Sequence, residues 1–459
     1  MELLFERALV PTGIARHVAV HVGDDGTLRS VVAGAPPDSR ADASIFVPGL
    51  AVCGMPNLHS HAFQRGIAGA TEVAATAENS FWGWREAMYR FVARLEPADV
   101  EAIAALAYVE MLEAGYTSVA EFHYLHHQAD GRPYADSATM SAAVRMAADR
   151  TGIRQLLLPC LYQAGGFGPL AVLQGQRRFA HETQPFLRLF EQLHSQVSGT
   201  HTTGLHTTGV ALHSLRAVPI TALREVVAAL PPGVPIHIHI AEQQREVEEC
   251  LKFSARRPIE YLLEQIQVDQ HWCLVHATHA TPTELQAIRQ AGAVVGVCST
   301  TEANLGDGCF PLDDFVTSGG RFGIGSDSQV SIDPREELRA AEYALRLSKQ
   351  RRGLVCQSSQ LHCGTSLYAL ASAGGAQALG LAGELVAGAV ADIVVIDTNQ
   401  AQFAGIRDDA LLDAHVFAPR PGAVRDVLVA GRWVVRNGRH AQREFVMESY
   451  RRSVARLLQ

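Results

Sequence analysis

The 459-residue sequence predicts an α/β protein: a closed (β/α)8 barrel of the TIM type with a small β-sandwich domain built from both chain ends. Three observations predict it. Short apolar runs alternate with helix-length segments through the middle of the chain, runs rich in β-branched residues and closed by turn residues occupy both ends, and residues capable of chemistry recur where the central runs stop. A length of 459 residues suits two folding units rather than one.

The small β-sandwich is expected over 1–53 and 383–445. In its first part His17-Val18-Ala19-Val20-His21-Val22 reads as a strand and Gly23-Asp24-Asp25-Gly26 as the turn closing it. The barrel is expected over 54–382, with strands at Met55–His61, Gln155–Leu161, Val210–His213, Ile236–Ile240, Cys273–His276, Val294–Cys298 and Phe322–Gly325, and one more ending at Glu121-Phe122-His123. Gly353–Gly383 contains no acid, lysine or arginine, but its Gly, Ala, Ser and Thr content suits a buried Ala-rich helix better than a membrane span. Ala391–Asp397 and Val424–Gly431 return the chain to the small domain, and 446–459 is expected as a C-terminal helix.

Composition narrows the partners. With 47% hydrophobic and 19% charged residues the chain is a globular enzyme type, and a formal charge of −8 without a basic run speaks against nucleic acid and anionic membranes. A small molecule is the expected partner, and any anion it carries must be met by individual arginines. The eight cysteines form no CxxC pair and read as buried thiols of a reducing compartment. The opening Met-Glu-Leu-Leu-Phe-Glu-Arg carries acids where an export signal needs a basic region, so a cytoplasmic location is expected.

The candidate chemistry begins at His59-Ser60-His61, where period-two geometry points both imidazoles to one side. An HxH alone is weak and gains weight only from company. Ile236-His237-Ile238-His239-Ile240-Ala241-Glu242 supplies it: His239 suits a third ligand and Glu242 a proton carrier. His237 shares the strand face with His239, and a core histidine hydrogen-bonded internally is the alternative for either; His239 is preferred because it lies nearer the strand end. His276 ends another run, as a functional imidazole or a satisfied half-buried one, and Asp327 follows Gly325-Ser326 as a last metal ligand or a loop cap. Three neutral imidazoles and a carboxylate would leave a bound Zn2+ with net positive charge and an open position for water, lowering the pKa of that water to about 7.

His59-x-His61, His239 with Glu242, His276 and Asp327 resemble the amidohydrolase superfamily, in its deaminase branch with one metal. Relatives with two metals bridge them through a carbamylated lysine. Here only Lys252 and Lys349 exist and neither ends a suitable strand, so one zinc per chain is expected. Asn57–Arg65, Phe81-Trp82-Gly83-Trp84-Arg85 and Ser299–Gly308 are similar to the formimidoylglutamate deiminases of histidine catabolism. That resemblance implies a homodimer, metal ligation by His59, His61, His239 and Asp327, catalysis by Glu242, His276 and Asp327, and substrate contacts from Gln64, Arg85, Tyr124, His213 and Arg216. It implies hydrolytic deimination of N-formimino-L-glutamate, water activated by the metal attacking the formimino carbon. Guanidinium forks suit a dicarboxylate, although Arg85 on an amphipathic helix and Arg216 in a surface ion pair are the ordinary alternatives. Phe81, Trp82 and Trp84 could wall the cavity, although aromatic residues near a helix are more often packing, and no contact role is assigned to them.

Two rival functions remain. A nucleobase or aminoheterocycle deaminase would share the metal set, and a barrel that has lost catalysis could serve as a scaffold. The two arginines argue against the first and the intact Glu242 against the second.

Overall fold

The structure is a computed structural model that describes residues 1–35, 45–72, 81–168, 170–198, 205–356 and 360–458. The chain opens with β1 (Glu2–Val10), β2 (Gly13–Val22), β3 (Leu28–Val32) and β4 (Ile45–Cys53). One residue later the barrel begins. Its strands are β5 (Met55–Ser60), β6 (Tyr116–His123), β7 (Arg154–Leu161), β8 (His206–Thr208), β9 (Val210–Ser214), β10 (Ile236–Ile240), β11 (Trp272–His276), β12 (Val294–Val297) and β13 (Arg321–Ile324). Parallel pairing runs β5-β6-β7-β9-β10-β11-β12-β13 and closes from β13 back to β5, while β8 continues β9 along β7. The closed eight-stranded parallel barrel read from the sequence is therefore present.

Strands β6, β7, β10, β11 and β12 are buried over their whole lengths, as expected where helices cover one face of a parallel sheet and side chains fill the other. The Ala-rich stretch forms a helix over Cys363–Leu379 that packs against β5 and β13. Its approach requires Gly374, where a Cβ would collide with the Phe322 carbonyl.

After the barrel, β14 (Ile393–Ile396), β15 (Val424–Val429), β16 (Arg432–Arg436) and β17 (Arg439–His440) join the N-terminal strands in one hydrogen-bonded sheet, in the order β17-β16-β15-β14-β4-β1-β2-β3. Period-two alternation divides its faces between two cores. Ala51, Cys53, Ile393, Val395 and Leu428 join a core within the small domain, whereas Leu50, Val52, Val394, Ile396, Val427 and Val429 join the barrel's core. A buried ion pair fastens the two units: Arg154 at the start of β7 meets Asp392 beside β14, with Nε 2.9 Å from Oδ2. The chain ends in a helix over Arg443–Leu457. Among the described residues, no helix is long and apolar enough to cross a membrane.

Candidate active site

The C-terminal ends of four barrel strands converge on one cluster. His59 lies on β5, with His61 one residue past its end; His239 lies on β10, with Glu242 just beyond it; His276 ends β11, and Asp327 follows β13. His59 Nε2 lies 3.0 Å from His239 Nε2, and both His59 Nε2 and His61 Nε2 lie 3.5 Å from Asp327 Oδ1. His276 Nε2 stands 3.8 Å from Asp327 Oδ2 and 3.8 Å from Glu242 Oε1. His237 is elsewhere: its Nε2 is 3.0 Å from the Ala378 carbonyl oxygen, so the structure places His239 and not His237 in the cluster.

Backbone conformation turns these side chains inward. Ala241, His276, Ala277 and Asp327 have φ of 49°, 70°, 48° and 45°, a left-handed region that residues other than glycine rarely adopt. Hydrogen bonds hold the strain in place. Asp327 N donates to His59 O at 3.0 Å, His61 N donates to Asp327 O at 3.0 Å, and Ala277 N donates to Ile240 O at 3.0 Å.

Outer hydrogen bonds set the tautomers. His61 Nδ1 is 2.9 Å from the Phe122 carbonyl and His239 Nδ1 is 2.9 Å from the His213 carbonyl. A carbonyl only accepts, so each ring carries its proton on Nδ1 and turns an Nε2 lone pair to the centre. Burial pushes His59 down to about 3 and also lowers His61 and His239, so all three rings stay neutral at physiological pH. Asp327 is held well below the usual carboxylate range. Burial opposes this, but the hydrogen bond from His59 and the charge of the neighbouring His276 imidazolium prevail.

This donor set fits a divalent metal. The candidate ligand atoms of His59, His61 and His239 lie within 4.8 Å of one another, as do those of His59, His276 and Asp327. The inward Nε2 lone pairs of His61 and His239 beside the Asp327 carboxylate suit an ion bound at about 2.0–2.1 Å from nitrogen. Lys252 lies on the helix Gln244–Ser254 and Lys349 ends the helix Pro334–Lys349, so neither sits on a barrel strand.

The cluster forms the floor of a cavity. Gln64, Arg85, Tyr124, His213 and Arg216 all line it, so the structure brings together every residue that the resemblance implied for the substrate. Gln64 Nε2 donates to Tyr124 Oη at 2.8 Å, and Arg216 reaches Glu242 at 3.8 Å and Glu246 at 3.9 Å. Trp84, one of the aromatics that the sequence allowed as a cavity wall, also lines it. The side chains of Phe81 and Trp82 lie outside the described residues.

Sequence reasoning missed several neighbours. Tyr162 follows β7 directly, so the strand-end rule applied to that run points to it. Met88 and Tyr89 line the cavity from the helix Phe81–Val92, at the i+3 and i+4 positions from Arg85. Glu302 accepts from Cys298 N at 2.9 Å and lies 3.2 Å from His276 Nδ1. Burial opposes a charge on His276, but Glu242, Glu302 and Asp327 raise it to about 10. Glu121 receives Ser60 Oγ and Ala62 N, each at 2.8 Å, and so brackets His61 from both sides.

The amidohydrolase family model matches residues 45–434, the span that holds this whole cluster. The chain belongs to the amidohydrolase family. A formimidoylglutamate deiminase of Pseudomonas aeruginosa is 50% identical over 440 residues, covering 96% of this chain and 95% of that protein. The crystal structure of an amidohydrolase from Brucella melitensis, 41% identical, superposes with a TM-score of 0.93 over 100% of both chains. An adenosine deaminase from Xanthomonas campestris with bound zinc, 20% identical, covers 100% of this chain and 98% of its own at a TM-score of 0.81, a likeness of fold. This amidohydrolase is a hydrolase acting on C–N bonds.

Proposed function

We infer that the chain catalyses zinc-dependent hydrolytic deimination of N-formimino-L-glutamate to N-formyl-L-glutamate and ammonia. The observation that carries this reading is the pair of guanidiniums, Arg85 and Arg216, lining the same cavity as the imidazole and carboxylate cluster. Fixed cations above a hydrolytic centre suit a substrate with two carboxylates and a reactive end. The 50% identity to a formimidoylglutamate deiminase supports the same substrate.

His59, His61, His239 and Asp327 would hold the metal. Bound zinc supplies Lewis acidity that brings the pKa of a water molecule down to about 7. Asp327 Oδ2 accepts a proton as the water oxygen adds to the formimino carbon. Glu242, ionised at rest, relays this proton and the water's second one to the nitrogen that leaves, so that the C–N bond breaks with release of ammonia and the carbon is left as a formyl group. His276 Nε2, between both carboxylates, donates to the oxygen of the tetrahedral centre, while Glu302 fixes its ring through Nδ1. Arg85 and Arg216 hold the carboxylates, and Gln64, Tyr124 and His213 orient the chain between them.

The aromatic lining, Trp84, Tyr89, Tyr124, Tyr162 and Phe179, favours a second reading, deamination of a planar heterocycle. A neutral ring offers the two guanidiniums no carboxylate, which makes that reading the second. Ammonia release by the zinc-loaded protein, measured with N-formimino-L-glutamate beside guanine, cytosine and adenosine, decides between them. Preference for a heterocycle would transfer the assignment. Glu242→Gln should retain zinc yet lose ammonia release by about 10²–10⁴-fold, and full activity in that variant would remove Glu242 from the mechanism. The reading extends to a cytoplasmic homodimer in histidine degradation; a solution mass equal to one chain would overturn the dimer.

A further inference from the structure

Outside the reaction cavity lies a second one, lined by Phe167, Leu170, Arg245, Glu249, Lys252 and Phe253, and also by Arg85 and Arg216. Those two arginines line the inner cavity as well, so each is reached from both sides. The helix Gln244–Ser254, which begins just after Glu242, supplies Arg245, Glu249, Lys252 and Phe253. The two cavities therefore share a wall that contains Arg85 and Arg216.

Its charge is opposite to that of the molecule. The chain carries a formal charge of −8, yet the outer cavity is lined by four cations and one carboxylate. Arg216 is partly offset by Glu242 and Glu246, and Arg245 Nε pairs with Glu249 Oε1 at 2.7 Å. Lys252 is exposed and joins none of the ion pairs among the described residues. A dianion is repelled by the molecule at large and attracted here, where cavity walls of low dielectric focus the field.

We propose that the outer cavity is a capture site for a dicarboxylate, in which Lys252 and Arg245 take up a carboxylate before it passes to Arg85 and Arg216. The proposal rests on the dicarboxylate reading of the inner site. It adds a specificity element that a neutral substrate does not need.

The test compares the zinc-loaded wild type with Lys252→Glu, Lys252→Gln and Arg29→Glu, the last an equal charge reversal on the outer strand β3. Two quantities are read at about 0.01 M and about 1 M ionic strength, where the screening length is about 30 Å and 3 Å. One is kcat/KM for N-formimino-L-glutamate; the other is the affinity for glutarate by titration calorimetry, which needs no turnover. Lys252→Glu should lower both on the order of tenfold at low salt, with kcat held within about twofold and the difference gone at high salt. Lys252→Gln should fall between, and Arg29→Glu should match the wild type. Equality of Lys252→Glu and wild type at low salt overturns the capture site, and so does a loss that persists unchanged at high salt. Wild type that fails to bind glutarate overturns it too. No ammonia from N-formimino-L-glutamate, with the salt-dependent loss of glutarate affinity intact, sinks the substrate reading and leaves the capture site standing.

Discussion

Arg216 lies 3.8 Å from Glu242 and 3.9 Å from Glu246, so the cation that would bind substrate also governs the acid that would move the proton. Burial raises the Glu242 pKa above the ordinary carboxylate value, while His276 and Arg216 lower it. Removing the guanidinium removes one of the forces that favour the ionised form. The ionised form is then lost at a higher pH as the medium is acidified. Arg216→Met should accordingly shift the acid limb of the kcat profile upward, besides raising KM, and an unmoved limb would show that Glu242 does not set it. His59 cannot set that limb, because burial keeps its pKa near 3.

At the scale of elements, the Cys363–Leu379 helix decides how β5 and β13 are held, and these strands carry or lead into His59, His61 and Asp327. The helix reaches β13 only because Gly374 faces the Phe322 carbonyl and Gly375 lies against Gly323. A methyl group at Gly374 must push the helix outward, because what it meets is backbone. Gly374→Ala should cost about 1–3 kcal/mol or more, seen as a lower urea midpoint at unchanged slope. Weakened zinc retention should accompany it, since β13 presents Asp327. Wild-type stability would mean that the helix can move without cost. The amino-acid pattern marked this helix through the lack of charge in Gly353–Gly383, but not the surface it covers. That surface depends on backbone shape, which periodicity does not encode.

Across the molecule, the two units meet through apolar faces and, among the described residues, a buried ion pair, Arg154 with Asp392, whose side chains are 4% and 10% exposed. Asp392 also accepts from Ala430 N at 2.7 Å, so its charge is committed on both sides of the junction. Arg154→Met should leave that carboxylate buried and unpaired at a cost of about 3–5 kcal/mol, measured by denaturant unfolding. A change below about 1 kcal/mol would mean that water or another donor replaces the guanidinium.

Sequence alone determined the barrel and the sharing of the small sheet between both chain ends, and it marked His59, His61, Glu242, His276 and Asp327 as candidates at strand ends. Strand period and strand ends are local properties, and a parallel barrel gathers its strand ends at one mouth. Only the tertiary structure decided which of His237 and His239 enters the site, that Glu302 holds His276, and that Arg85, Tyr89 and Tyr162 face one cavity. Those outcomes depend on which helix backs a strand and which loop crosses the mouth. Such contacts join residues far apart in the chain, and no local pattern specifies them.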